Sequence, residues 1–428
     1  MYKRQTYLDK LIARKDNGMI KIITGVRRCG KSFLLFNIYK EYLKSIGTDD
    51  SHIIQISLEE TENFVLHNPL KLDLFIKKQI KDEKQYYVFL DEIQFVKSIK
   101  NPDAAIPDAE PITFYSVLNS LLKRHNVDVY VTGSNSKMLS GDIFTEFRGR
   151  GDEVRVYPLS FSEFMEHYDG DVRDGWDEYL AYGGLPLAVS AKTHEAKSLY
   201  LKNLFSETYI KDVIDRNKFK NEENISDLLN ILASSVGSLT NSLNIQNTFL
   251  SVKKQSVSIN TIASYTKALQ SAFLIDSAKR FDIKGRKYIS TPIKYYFVDT
   301  GLRNALLNFR QFEETHLMEN IIFNELKIRG YDVDVGVVEI YETNKKGSGQ
   351  KKQLEIDFVA NKAQERLYIQ SALSMADEEK ASIELRPFLN VADSFRKIVL
   401  VEGKKHPQTT EHGFTIMGVI DFLLEKSL

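Results

Sequence analysis

Cysteine is almost absent from this sequence: Cys29 is the single one in 428 residues. That excludes an internal disulfide and any cysteine-rich metal site, and it agrees with a reducing compartment. Charge of one sign is missing as well. Lys plus Arg and Asp plus Glu each number 58, so no global field points to a nucleic-acid or membrane partner, and any basic site must be local. No apolar run approaches membrane-spanning length, and the opening residues lack an apolar signal core. The expectation is a cytoplasmic protein with no membrane partner. The eight histidines are scattered, with no pair at helical ligand spacing, so no zinc is expected.

What is present is ordinary for a soluble globular chain, with 43% hydrophobic and 27% charged residues. The length prior suggests about three domains. Ile20 to Thr24 is a short apolar run ending in a glycine loop, and Phe33 to Leu43 then follow a helical period. His52 to Ile56, Tyr86 to Leu90 and Val127 to Thr132 read as further strands with helical patterns between them. Such alternation predicts a parallel sheet covered by helices. Lys100 to Pro111 carries three prolines and reads as an exposed loop.

Phe161 to about Leu204 predicts a small helical lid, and Leu228 to Leu274 is helical in several pieces, with Ser258 as N-cap of the last. Arg280 to Ile289 reads as a basic hairpin; helices followed by such a hairpin suggest a winged helix. The remainder opens with a helix near Leu317 to Arg329 and continues in strands, including Gln353 to Ala360, where Leu354, Ile356 and Phe358 alternate with Glu355 and Asp357. The expected domains are 1–157 for the sheet core, 158–205 for the lid, 206–290 for the winged-helix-like part and 291–428 for a last α/β unit.

Gly25-Val26-Arg27-Arg28-Cys29-Gly30-Lys31-Ser32, followed by Phe33, satisfies the P-loop pattern. Its glycines let backbone N–H groups curl around phosphates at a helix N-terminus. Lys31 would reach the β- and γ-phosphates of ATP, and Ser32 would ligate Mg2+. The partner should be a carboxylate ending a buried strand; Asp91 fits as the magnesium residue and Glu92 as the group that polarises attacking water. Ser134 and Asn135, after the fourth strand, read either as a γ-phosphate sensor or as a plain turn. Arg148 and Arg150 read either as an arginine finger, in this chain or a neighbour, or as surface residues. Cys29, inside the loop, is expected to crowd nucleotide once alkylated.

Lys279, Arg280, Lys284, Arg286 and Lys287 crowd the hairpin, with Lys253 and Lys254 just before the last helix. The set suits double-stranded DNA, and a basic face used for protein contact reads equally well.

Ile23 to Ser32, Leu90 to Gln94, Val131 to Ser136, Pro158 to Phe164, Tyr182-Gly-Gly-Leu-Pro186, Lys294 to Asn304 and Glu355 to Val359 together resemble a large group of prokaryotic AAA-type ATPases. The resemblance implies an α/β fold: a P-loop AAA sheet with helical lid, a winged-helix middle and a C-terminal domain similar to restriction-endonuclease-like folds. It also implies assembly of several copies and favours Arg150, in its Gly-Arg pair, as the finger. Within that resemblance Glu319 and Asp357 match a helix acid and a strand acid, whereas Gln370 stands where the second acid belongs and Ala372 where a lysine belongs. The nuclease site therefore reads as degenerate.

Overall fold

The computed structural model describes residues 2–101, 110–133, 149–343 and 349–425. The chain forms two compact units, Met1–Tyr157 with Ser271–Phe273, and Pro158–Gln270 with Leu274–Leu428.

In the first unit, strands β1 (Ile20–Thr24), β2 (Ile53–Ser57), β3 (Tyr86–Asp91), β4 (Val127–Thr132) and β5 (Gly151–Arg155) form one sheet in the order β2-β3-β4-β1-β5. Every pairing is parallel. The period of two sorts the strands onto two buried faces. Ile20, Ile22, Ile54, Ile56, Val88, Leu90, Val129 and Val131 pack with Leu72, Ile76, Val117 and Leu121 of helices Pro69–Gln79 and Phe114–Leu122. Asn68 and Thr113 start these helices by accepting hydrogen bonds from their first free N–H groups. Tyr39, Phe89 and Tyr130 cluster apart from that core. They sit beside a fully buried Lys21–Asp128 ion pair, whose Asp128 also accepts from the Tyr130 hydroxyl at 2.8 Å. β5 was not expected from the sequence. Three of its five residues are charged, and it is recognisable as a strand only through its pairing with β1.

The second unit joins helices to an eight-stranded mixed sheet. Its strands are β6 (Ile275–Asp282), β7 (Lys287–Phe297), β8 (Asp332–Thr343), β9 (Gly349–Lys362), β10 (Glu365–Ala372), β11 (Arg396–Val401), β12 (Gln408–Thr409) and β13 (Thr415–Gly418), in the order β12-β13-β11-β10-β9-β8-β6-β7. The basic hairpin is thus the β6–β7 edge of a large sheet and not a free wing. Ile283 beyond β6 is buried in the sheet's core with Val338 and Ile356, and β6 pairs with β8 in parallel. A boundary at 290 falls inside β7.

A second difference concerns β9. One extra residue between Ile356 and Val359 makes a bulge against Asp334 and Gly336 of β8. Ile356 packs in the core with Phe388 and Phe414, while Phe358 meets the rings of Tyr296 and Phe323. The simple alternation expected across Leu354 to Phe358 is broken there.

Two of the glycine-bearing motifs meet in this unit. Asp299 ends the stretch after β7 and starts helix Thr300–Leu306, accepting from Leu302 N–H at 3.1 Å and from Gly184 N–H at 2.7 Å. A Cβ on Gly184 would lie 2.0 Å from the Leu159 carbonyl oxygen, and one on Gly301 2.0 Å from that of Tyr182. Close backbone contact therefore requires both glycines. Burial pushes the Asp299 carboxyl up to about 6, against the pull of the N–H groups it accepts from.

Candidate functional site

The loop between β1 and the helix beginning at Lys31 lies at the carboxyl edge of the parallel sheet. Gly25 has φ +139, and a Cβ there would sit 2.1 Å from the Val156 carbonyl oxygen, so only glycine lets the loop pass. Gly30, at φ +97, precedes Lys31 in the left-handed region. The Lys31 ammonium donates to the carbonyl oxygens of Gly25 and Val26 at 3.0 Å each, which curls the loop around it. Helix Lys31–Phe33 continues as a π-helical segment, Leu34–Tyr39.

Asp91 ends β3, two strands away from β1, and its carboxylate faces the loop. Ser32 Oγ donates to Asp91 Oδ1 at 2.8 Å. Thr132, ending the intervening β4, donates its hydroxyl to the same oxygen and accepts from the Glu92 N–H at 3.1 Å. Both hydroxyls meet a single carboxylate oxygen, which suits a hard divalent cation held by one or two protein oxygens and completed by water and phosphate. Ser32 and Asp91 would hold Mg2+. Glu92 follows in a left-handed conformation at φ 53, uncommon for a residue with a Cβ, and Gln94 donates to its carboxylate. Burial raises the Glu92 carboxyl, with Lys31 pulling it down and Asp91 pushing it up.

The structure thus brings Lys31, Ser32, Asp91 and Glu92 together around one loop. Thr132 and Gln94 were missed by sequence reasoning, although Thr132 ends a strand at the edge where such residues gather. Arg27 is paired with Glu59 at 3.0 Å. Cys29 is fully buried, with its Sγ 3.4 Å from the Val156 carbonyl oxygen. Ser134, Asn135 and Arg148 lie outside the described residues. Arg150 is exposed just before β5, and its carbonyl accepts from Ile20 N–H. Because β5 runs parallel to β1, Arg150 stands about five residues, or ~16 Å, along the strands from the loop. It cannot serve as a finger to its own chain's phosphate loop.

In the second unit Glu319 and Asp357 come together around a residue that sequence reasoning did not assign, with Gln370 beside them accepting from the Asp357 N–H at 3.4 Å. Lys294 of β7 places its ammonium 2.8 Å from Glu319 Oε1, 2.8 Å from Glu355 Oε1 and 3.6 Å from Asp357 Oδ1. The Tyr296 hydroxyl donates to Glu319 at 2.6 Å, and Ser371 N–H donates to Asp357 Oδ2 at 2.8 Å. Gln370 donates to Glu384 at 2.9 Å. The available signal was a lone lysine opening the apolar run Tyr295-Tyr296-Phe297. Of the basic residues, Lys253 is paired with Asp227 at 2.6 Å, Arg280 donates to Gln353 at 2.6 Å and Lys284 to the Glu339 carbonyl at 2.9 Å. Lys254, Lys279, Arg286 and Lys287 are exposed. Among the described residues, no helix is long and apolar enough to cross a membrane.

Residues 17–165 match the AAA domain family, and residues 173–313 match a domain of unknown function. A protein of Haemophilus influenzae described as uncharacterized is 33% identical over 431 residues, covering 99% of each chain. One from Methanocaldococcus jannaschii is 28% identical over 421 residues, 93% of this chain and 87% of its own length. The Orc1 protein of Aeropyrum pernix, solved in complex with DNA, aligns over 72% of this chain and 93% of its own at 11% identity, with a TM-score of only 0.28. The chain belongs to one family with the Haemophilus influenzae protein, and its first unit carries an AAA domain.

Proposed function

We propose that this protein is a Mg2+-dependent ATPase whose nucleotide state is coupled to nucleic-acid binding by its second unit. The observation that carries the ATPase reading is the 2.8 Å contact between Ser32 Oγ and Asp91 Oδ1, beside Lys31 and Glu92. Bound Mg2+ would neutralise charge on the phosphates. Lys31, now satisfied by two loop carbonyls, exchanges them for phosphate oxygens, and backbone N–H groups of the loop orient the triphosphate. Glu92 takes up or orients the proton of the attacking water, and burial suits it to that task by favouring its neutral form more than water does. Arg150 acts only toward a neighbouring copy, so the finger reading requires assembly. A cytoplasmic setting accords with the lone reduced cysteine.

For nucleic acid, support comes from exposed Lys254, Lys279, Arg286 and Lys287, and from Ser258 capping helix Ile259–Ser271 at 3.1 Å, which leaves Asn260 and Thr261 at its N-terminal end. A second reading, a nucleotide-gated protein-interaction switch with little turnover, is favoured by the pairing of Lys253, Arg280 and Lys284 within the chain, which depletes the phosphate-binding charge. ATP turnover measured with and without duplex DNA separates the two. Turnover that rises with DNA and falls steeply with salt supports the first; tight ATP binding with near-zero, DNA-independent turnover sinks it.

A further inference from the structure

Three carboxylates drawn around one point are the donor set of a divalent-cation site. Glu319 reaches that point from helix Glu314–Ile328, and Glu355 and Asp357 reach it from the bulged stretch of β9. The point is filled by the Lys294 ammonium, whose side chain is 4% exposed. The carboxylate oxygens stand 2.8 to 3.6 Å from its nitrogen. Those are ammonium distances; a metal draws oxygens in to about 2.0–2.6 Å. Tyr296 donates to the same Glu319 oxygen that Lys294 contacts, and Ser371 N–H donates to the other Asp357 oxygen. Among the described residues, no group of three or more His, Cys, Asp or Glu side chains is placed to hold a metal.

We propose that Lys294 is a resident cation that closes this carboxylate site to divalent metal, so that the C-terminal sheet is held together without metal and performs no metal-dependent hydrolysis. Glu319, Asp357 and Lys294 are all less than a tenth exposed, while the Glu355 side chain, 37% exposed, borders solvent on one side of the ammonium.

The test is Mn2+ binding to the full chain, read by electron paramagnetic resonance in an Asp91→Asn background that silences the phosphate site. With Lys294 present, no Mn2+ should bind in a manner sensitive to Glu319→Gln. Lys294→Met should gain one Mn2+ per chain, raise its melting temperature as Mn2+ is added, and lose both effects when Glu319→Gln is combined with it. Mn2+ bound by the Lys294 protein and lost on Glu319→Gln overturns the proposal. So does a folded Lys294→Met protein that takes up no Mn2+. Should Lys294→Met fold only when refolded with Mn2+, the metal has replaced the ammonium and the proposal stands; should it fold under neither condition, the Lys294 protein's own Mn2+ titration still decides.

Discussion

Lys31 and Lys294 are both buried lysines set among acids, and the two clusters use them in opposite ways. In the first unit Lys31 is held by two backbone carbonyls at 3.0 Å, while Asp91 is held by the hydroxyls of Ser32 and Thr132. Neither charge is neutralised by direct contact with the other, and each keeps capacity for a ligand of opposite sign. In the second unit Lys294 touches the carboxylates themselves. Its charge is spent inside the fold, and the surrounding acids raise it further above its ordinary value although burial alone would lower it. A lysine near acids therefore signals a ligand site only where neutral groups hold it.

The largest expected effect separates the acids of the two clusters. Glu92→Gln should lower ATP turnover by about 100- to 10,000-fold while leaving ATP binding largely intact, the range for losing a general base. Glu319→Gln should change turnover less than about twofold; a matching loss from both would erase the distinction. Steady-state hydrolysis with parallel calorimetric binding reads both.

Next comes stability. Lys294→Met without metal should destabilise the second unit by about 3–5 kcal/mol, because the buried Glu319 and Asp357 carboxylates lose their shared partner. Urea unfolding followed in the second unit measures it. A loss under about 1 kcal/mol would mean that the ammonium is dispensable.

The smallest effect is a slope with pH. Asp357 is raised from 3.8 to about 7 on folding, and Asp299 from 3.8 to about 6. For a carboxyl raised by folding, the folded state prefers the protonated form. The contribution is full below about pH 3.8 and is lost as pH rises through the folded value. Across pH 4 to 7, Asp357 should then cost the fold up to ~1.4 kcal/mol per pH unit, and Asp357→Asn should flatten the curve by that amount. An unchanged slope would place Asp357 outside the set of shifted groups.

The phosphate loop was legible because its chemistry is local. Gly25, Gly30, Lys31 and Ser32 lie within eight residues, and the loop's needs for positive φ and backbone room dictate residue types in order. Asp91 and Glu92 could be read because an apolar strand leads directly into them. Thr132 could not be assigned a role, since threonine is common in strands and only the order β3-β4-β1 sets its hydroxyl beside Asp91. The hairpin was found but misjudged: its basic surface is visible in the sequence, whereas its union with β8 depends on residues some fifty positions away.

The sequence alone determined the parallel sheet, the nucleotide loop and its acids, since hydrophobic period and turn chemistry act over a few residues. Only the tertiary structure decided which lysine meets which carboxylate, and from which end of β5 Arg150 looks out. Those outcomes rest on strand order, one bulge in β9 and the burial of Lys294. Each arises from contacts between distant segments, whose electrostatic worth is fixed by how much water they exclude.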